Sequence, residues 1–139
     1  MSKTSTRVVR AGLIFGLLAG VSIVSTTSAS ASSTPYTCTA TYPEVCLGAT
    51  YSLDSFGDPG GVESQQVQTL VNQGVYYEYV LVTPDGVQHH SGTYHAGSPG
   101  WGAKWPQSFH QYGWYEAFVK YGSTASLGNQ SATASVYAP

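Results

Sequence analysis

The sequence predicts an all-β fold, a small antiparallel β-sandwich of about seven or eight strands. First, residues that favour pleated surfaces dominate, since the chain beyond residue 31 has eleven Tyr, three Trp and ten Val but no Ile and no Met. Second, Gly and Pro interrupt this part of the chain at intervals of roughly ten residues, as turns between short strands do. Third, the segments between these turns alternate apolar and polar residues with the period of two that is typical of a strand.

The predicted strands follow one another along the whole chain beyond residue 35. They cover residues 36–42, 47–53, 66–71, 75–83, 87–94, 104–110, 113–121 and 130–138. The segment 62–72 fits the i, i+3, i+4 spacing of a helix about as well as a strand, and we favour the strand. The sharpest feature is a hairpin between 75–82 and the strand that starts at Val87. Its turn contains Pro84, which presets the second turn position, and Gly86, which supplies a positive φ.

Residues 1–31 are predicted to be a cleaved secretory signal peptide. Three basic residues precede an apolar stretch over 11–24, and the small-residue pattern Ala-Ser-Ala at 29–31 follows. The alternative, a membrane anchor, is disfavoured because the apolar stretch is shorter than the ~20 residues that cross a bilayer. We therefore expect a secreted protein with a flexible lead at 32–36 and a single β-sandwich domain at 37–139.

Removal of the signal peptide leaves an acidic chain without Arg. Two basic residues, Lys104 and Lys120, stand against seven acidic ones, which leaves a formal charge of −5. Arg is the residue best suited to bidentate phosphate and guanine contacts. Nucleic acid and anionic membranes are therefore not expected partners, and no membrane insertion is expected after signal cleavage.

Cys38 and Cys46 are the only two cysteines of the chain. Because exported chains meet an oxidising environment, we expect a disulfide between them. Closing so short a loop stabilises the fold by about 2 to 3 kcal/mol on the chain-entropy model.

The second half of the chain resembles the immunoglobulin-like β-sandwich superfamily, including its fibronectin-like members. The resemblance covers residues 75–138 and is carried by "VYYEYVLVTPDG", by "YGWYEAFVKY" and by a final alternating strand. In that family a Gly-x-Tyr element begins the strand before the last, which Gly113 and Tyr115 match, and the Tyr anchors a corner through a backbone hydrogen bond. The chain departs from antibody domains because Ala117 replaces a cysteine and its own two cysteines lie too close together to bridge the sheets.

If strands 75–82 and 113–121 are neighbours, alternation assigns each of their side chains to one of two faces. The inner set is Val75, Tyr77, Tyr79, Leu81, Tyr115, Ala117, Val119 and Tyr121. The outer set is Tyr76, Glu78, Val80, Val82, Trp114, Glu116, Phe118 and Lys120, joined by His89 if Val82 pairs with Val87. Large apolar side chains on an outer face mark an interaction site, unless the segment 56–73 or the loop with Trp101 covers them.

Four histidines lie within residues 89–110, and His89 with His95 are weak metal-site candidates if Ser91-Gly92 forms a tight turn. We expect neither a metal nor any other cofactor, because no cysteine or carboxylate is placed to complete such a site. No catalytic residue is predicted either. Glu78 and Glu116 lie on neighbouring strands, but a paired-carboxylate glycosidase holds its acids in a deep cleft.

The expected function is that of a secreted, non-enzymatic binding module for an extracellular protein or a glycan. The candidate binding residues are the sheet-face residues Tyr76, Trp114 and Phe118, together with Trp101 and Trp105 from the Trp-rich segment 98–115. A carbohydrate-binding module is the alternative, since flat aromatic rings stack on sugars. A secreted toxin, bacteriocin or protease inhibitor is a further alternative, and the oligomeric state stays open.

Overall fold

The fold is all-β, as a computed structural model that describes residues 31–139 shows. The predicted signal peptide, apart from Ala31, lies outside these residues. The described part of the chain has eleven strands: β1 (Ser32–Ser33), β2 (Tyr36–Cys38), β3 (Glu44–Leu53), β4 (Pro59–Val71), β5 (Tyr76–Val82), β6 (Gln88–His95), β7 (Gly100–Trp101), β8 (Trp105–Gln107), β9 (Gly113–Gly122), β10 (Asn129–Gln130) and β11 (Ala134–Ala138). Between Ala31 and Pro139 no helix is long and apolar enough to cross a membrane.

Two antiparallel sheets form the sandwich. In the first sheet β3 lies between β4 on one side and β1 and β2 on the other, and β4 also pairs with β7 and β8. In the second sheet the order is β10-β9-β5-β6, and β11 also pairs with β9. Side chains from the facing surfaces of the two sheets form one core.

The strand count differs from the predicted seven or eight because several edge strands are short and interrupted. The predicted lead contains β1, whose Ser33 pairs with Tyr51. The predicted last strand is divided into β10 and β11, which pair with successive parts of β9. The 62–72 segment is a strand, as we favoured, and β4 is the longest of those described, with 13 residues.

The predicted inner set is confirmed. Its central members are buried: Tyr77, Tyr79, Leu81, Tyr115, Ala117 and Val119. Val75 and Tyr121 pack partly buried against the same core, and Val45, Leu47 and Val67 of the first sheet face them. Buried tyrosines need a partner for the hydroxyl group, and Tyr79 has one because its hydroxyl donates to the carbonyl of Ala103. Burial raises the pKa of Tyr79.

The predicted corner around Tyr115 is also present. The Tyr115 hydroxyl donates to the Gln111 carbonyl at 2.7 Å, and burial raises the pKa of this phenol. In the second sheet β9 lies between β5 on one side and β10 and β11 on the other. In the first sheet β3 and β4 form a direct hairpin.

The predicted disulfide between Cys38 and Cys46 is present. The two residues are directly opposite each other on β2 and β3, with their Cα atoms 4.1 Å apart. The bond therefore fastens β2 to the sheet, and a disulfide is typical of an oxidising, extracellular-type environment. Glu44 lies beside the pair, but sulfurs bonded to each other are not the thiolates that a metal requires.

Candidate binding face

The outer face of the second sheet is the surface formed by the outward side chains of β5, β9 and β11. At one end of it, Trp114 and Tyr137 are directly opposite each other on β9 and β11. Their ring centroids lie 5.3 Å apart with an interplanar angle of 57°. Trp114 is 58% exposed and Tyr137 is 50% exposed. We call these two residues the aromatic pair.

The centre of this outer face is not the broad apolar patch that the sequence predicts. Phe118 is only 8% exposed and Val80 is fully buried. The two residues are opposite each other in the middle of the sheet, and His90 flanks Val80 on the other side. Phe118 is therefore not an exposed binding residue, and the exposed aromatic surface is confined to the end of the sheet.

The other predicted aromatic residues lie elsewhere. Tyr76 is half-buried at the far end of the outer face and stacks on His95, with ring centroids 4.3 Å apart. Trp105 is partly buried against the core, where it stacks on Tyr79 at 6.0 Å with nearly parallel rings. Trp105 is thus a packing residue.

Trp101 lies on the outside of the first sheet, on the opposite side of the sandwich from Trp114. It is opposite Leu70 at the sheet edge and is 50% exposed. The structure therefore does not bring Trp101 and Trp114 into one site.

A polar groove lies near the other end of the outer face, between β5, β9 and the loop that leads into β10. Its volume is about 280 Å³, and its polar side chains are those of Glu78, Lys120, Ser126, Asn129 and Gln130. Glu78 is opposite Lys120, and Lys120 is opposite Gln130. The groove thus crosses the sheet from β5 to β10.

The charges along the outer face are of both signs. The Glu78 carboxylate lies 3.2 Å from Nδ1 of His90, and its side chain is only 17% exposed. Lys120 is half-buried, while Glu116 between the groove and the aromatic pair is exposed. Glu116 is opposite Val82, and Val82 lies four positions from Glu78 along β5. The two carboxylates are therefore separated by ~13 Å along the sheet. A paired-carboxylate glycosidase holds its acids at most ~9.5 Å apart, so this arrangement does not support that reaction.

The structure separates His89 from His95. Across the turn, Thr83 and not Val82 pairs with Val87, because the Thr83 amide donates to the Val87 carbonyl and Val82 is opposite Gln88. His89 is consequently opposite Leu81 and faces inward, where its ring packs on Phe109.

The segment Ser91-Gly92 is a β-bulge within β6 and not a tight turn, since the Tyr79 amide donates to the Ser91 hydroxyl at 3.0 Å. His95 is opposite Tyr76 and faces outward. Tyr76 lies five positions along β5 from Leu81, the residue opposite His89. The two imidazoles therefore lie on opposite faces and ~17 Å apart along the strand, too far to ligate one ion.

Hydrogen bonds anchor the end of the sheet that carries the aromatic pair. The Thr83 hydroxyl and the Val87 amide donate to the Asp85 carboxylate, and these bonds lower the pKa of Asp85 from its ordinary value of 3.8. The Gln111 side chain also donates to Asp85, at 3.3 Å. Since the Tyr115 hydroxyl donates to the Gln111 carbonyl, hydrogen bonds join the turn and the corner to the start of β9, the strand that carries Trp114.

Sequence reasoning missed Tyr137 and the groove. A signal for Tyr137 was present, because alternation on the last strand and pairing with β9 place it opposite Trp114. The groove had no comparable signal, since its wall is the irregular segment 126–128. In comparisons with known proteins, no family model, no curated protein and no solved structure matches the chain.

Proposed function

We propose that the chain is a secreted, non-enzymatic module that binds a glycan through the outer face of the second sheet. The observation that carries this proposal is the aromatic pair, two contacting rings that are each at least half exposed on a sheet. Flat rings offer an apolar surface to the apolar face of a sugar. Because both rings belong to paired strands, little conformational entropy is lost when a ligand packs on them.

The size of the exposed surface favours a sugar over a protein as the ligand. From typical side-chain areas and the exposed fractions, the aromatic pair offers roughly 250 Å². A stable protein interface buries ~800 Å² on each partner. The burial of Phe118 and Val80 removes the apolar surface that would have extended the patch toward that size.

The charge around the aromatic pair favours a neutral glycan. The exposed carboxylate of Glu116 lies two residues from Trp114 on the same side of β9, where it repels an acidic sugar. The chain beyond residue 31 has no Arg and a formal charge of −5. Secretion is part of the proposal and is supported by the disulfide and by the sequence of residues 1–31.

A pull-down on insoluble polysaccharides tests the proposal. We expect the purified chain to be retained on at least one neutral polysaccharide among cellulose, chitin and starch granules. Trp114→Ala and Tyr137→Ala should each weaken retention, while Trp101→Ala, an equally large change on the opposite side of the sandwich, should leave it unchanged. Failure to bind any of the three supports, or retention that survives both changes in the aromatic pair, would contradict the proposal.

A further inference from the structure

The groove and the aromatic pair lie on one line parallel to β9. Trp114 is opposite Tyr137 on β11, and Lys120 is opposite Gln130 on β10. Six residues of an extended strand separate Trp114 from Lys120, which corresponds to ~20 Å. A ligand that reaches both places must therefore be elongated and must run along β9.

The lining of the groove suits hydroxyl groups. Its side chains are a carboxylate, an ammonium group, a hydroxyl and two amides, which together provide both donors and acceptors. The Lys120 ammonium has no carboxylate within 4 Å among the described residues, and the carboxylate of Glu78, the residue opposite Lys120, contacts His90. Donors therefore remain available to a ligand in the groove.

The backbone of the groove wall holds an unusual conformation. Leu127, which lines the groove, has a φ of 53°. This is the left-handed region, which residues other than glycine seldom adopt. Its amide donates to the Thr124 carbonyl at 3.3 Å. A Cβ atom added to Gly122 would lie 3.3 Å from the Gly128 amide nitrogen, so the loop packs closely on the end of β9. Such conformations persist where the surrounding structure fixes them, and they cluster at ligand sites.

We propose that the groove is a second sugar subsite, so that the ligand is an extended internal stretch of a neutral polysaccharide chain and not a single terminal sugar. This inference rests on the proposed function. The aromatic pair supplies stacking at one end of the ligand, and the groove supplies hydrogen bonds about 20 Å away. Affinity must then depend on the length of the glycan.

Isothermal titration with neutral oligosaccharides of graded length, prepared from cellulose, chitin and starch, tests the inference. We expect the affinity for one series to rise with length until the oligomer spans ~20 Å and then to level off. Gln130→Ala and Lys120→Met should each lower the affinity for the long oligomers by about tenfold, as expected for one or two lost hydrogen bonds, and leave the affinity for the shortest binders unchanged. Gln66→Ala, an exposed glutamine on the opposite sheet, is the matched control and should change neither.

The outcomes separate the two proposals. If Trp114→Ala abolishes binding but the affinity is independent of length, or if both groove variants keep the wild-type dependence on length, the second subsite is wrong and the proposed function stands. If no oligomer binds, or if Trp114→Ala changes nothing, the proposed function itself fails. Unfolding curves of both groove variants that coincide with that of the wild type show that any loss of affinity comes from the groove and not from misfolding.

Discussion

Truncation of Trp114 gives a loss of affinity that can be calculated from the structure. A Trp side chain has an area of up to ~250 Å², and with 58% of it exposed, ~145 Å² is available to a ligand. A sugar stacked on one ring face covers about half of that, ~70 Å², which at ~25 cal/mol per Å² contributes ~1.8 kcal/mol. We therefore expect Trp114→Ala to weaken glycan binding about twentyfold.

Isothermal titration with a bound oligosaccharide measures this loss. The same titration with Tyr137→Ala and with the double variant of Trp114 and Tyr137 shows whether the two rings contact one sugar. Because their centroids are only 5.3 Å apart, one sugar that contacts both should give a coupling energy of at least ~0.5 kcal/mol. Trp101→Ala serves as the control, since Trp101 is 50% exposed but lies on the other sheet. A loss smaller than about threefold for Trp114→Ala, or an equal loss for Trp101→Ala, would refute the assignment of the site to this face.

Three further predictions concern stability and are measured by urea unfolding. Gly102→Ala should destabilise the fold by ~1–3 kcal/mol, because the added Cβ would lie 2.5 Å from the hydroxyl of the buried Tyr77. The control is Gly97→Ala, which has open space around it and should change the free energy of unfolding by no more than ~0.5 kcal/mol. Since the folded pKa of Asp85 is lowered, its ionised form stabilises the native state above the ordinary pKa of 3.8; any advantage of the wild type over Asp85→Asn should therefore be lost as the pH falls through and below that value. Replacement of Cys38 and Cys46 by Ser should cost about 2 to 3 kcal/mol, and a reductant should have no effect on that variant.

Local alternation was enough to predict the fold class and the inner face. On a strand, the direction of each side chain follows from its position alone, and this is why Tyr79, Tyr115 and Val119 were assigned correctly to the core. The pairing across the turn depended instead on one detail of the loop. Thr83, and not Val82, pairs with Val87. His89 therefore lies on the inner face and not on the outer one, because a shift of one residue exchanges the two faces of a strand.

The bulge at Ser91 and Gly92 then reversed the alternation within β6. The extra residue lets Tyr94 face inward, where it stacks on Tyr77 at 5.3 Å, while His95 faces outward. A bulge depends on a contact between strands, here the bond from the Tyr79 amide to the Ser91 hydroxyl. Ser-Gly within an alternating run is consistent with a bulge and also with a turn, so the sequence alone does not distinguish the two.

Exposure on the outer face depends on neighbours to the side, which no single strand reveals. Val80 and Phe118 point outward like Trp114, yet they are buried in the middle of the sheet, where Val80 is flanked by Phe118 on β9 and by His90 on β6. Trp114 and Tyr137 stay exposed because their row is at the end of the sheet, where β5 has already given way to the turn. On the outer face of the second sheet the most exposed aromatic rings therefore lie at one end of the strands and not at their centres, and this is the surface on which the proposed sugar stacking depends.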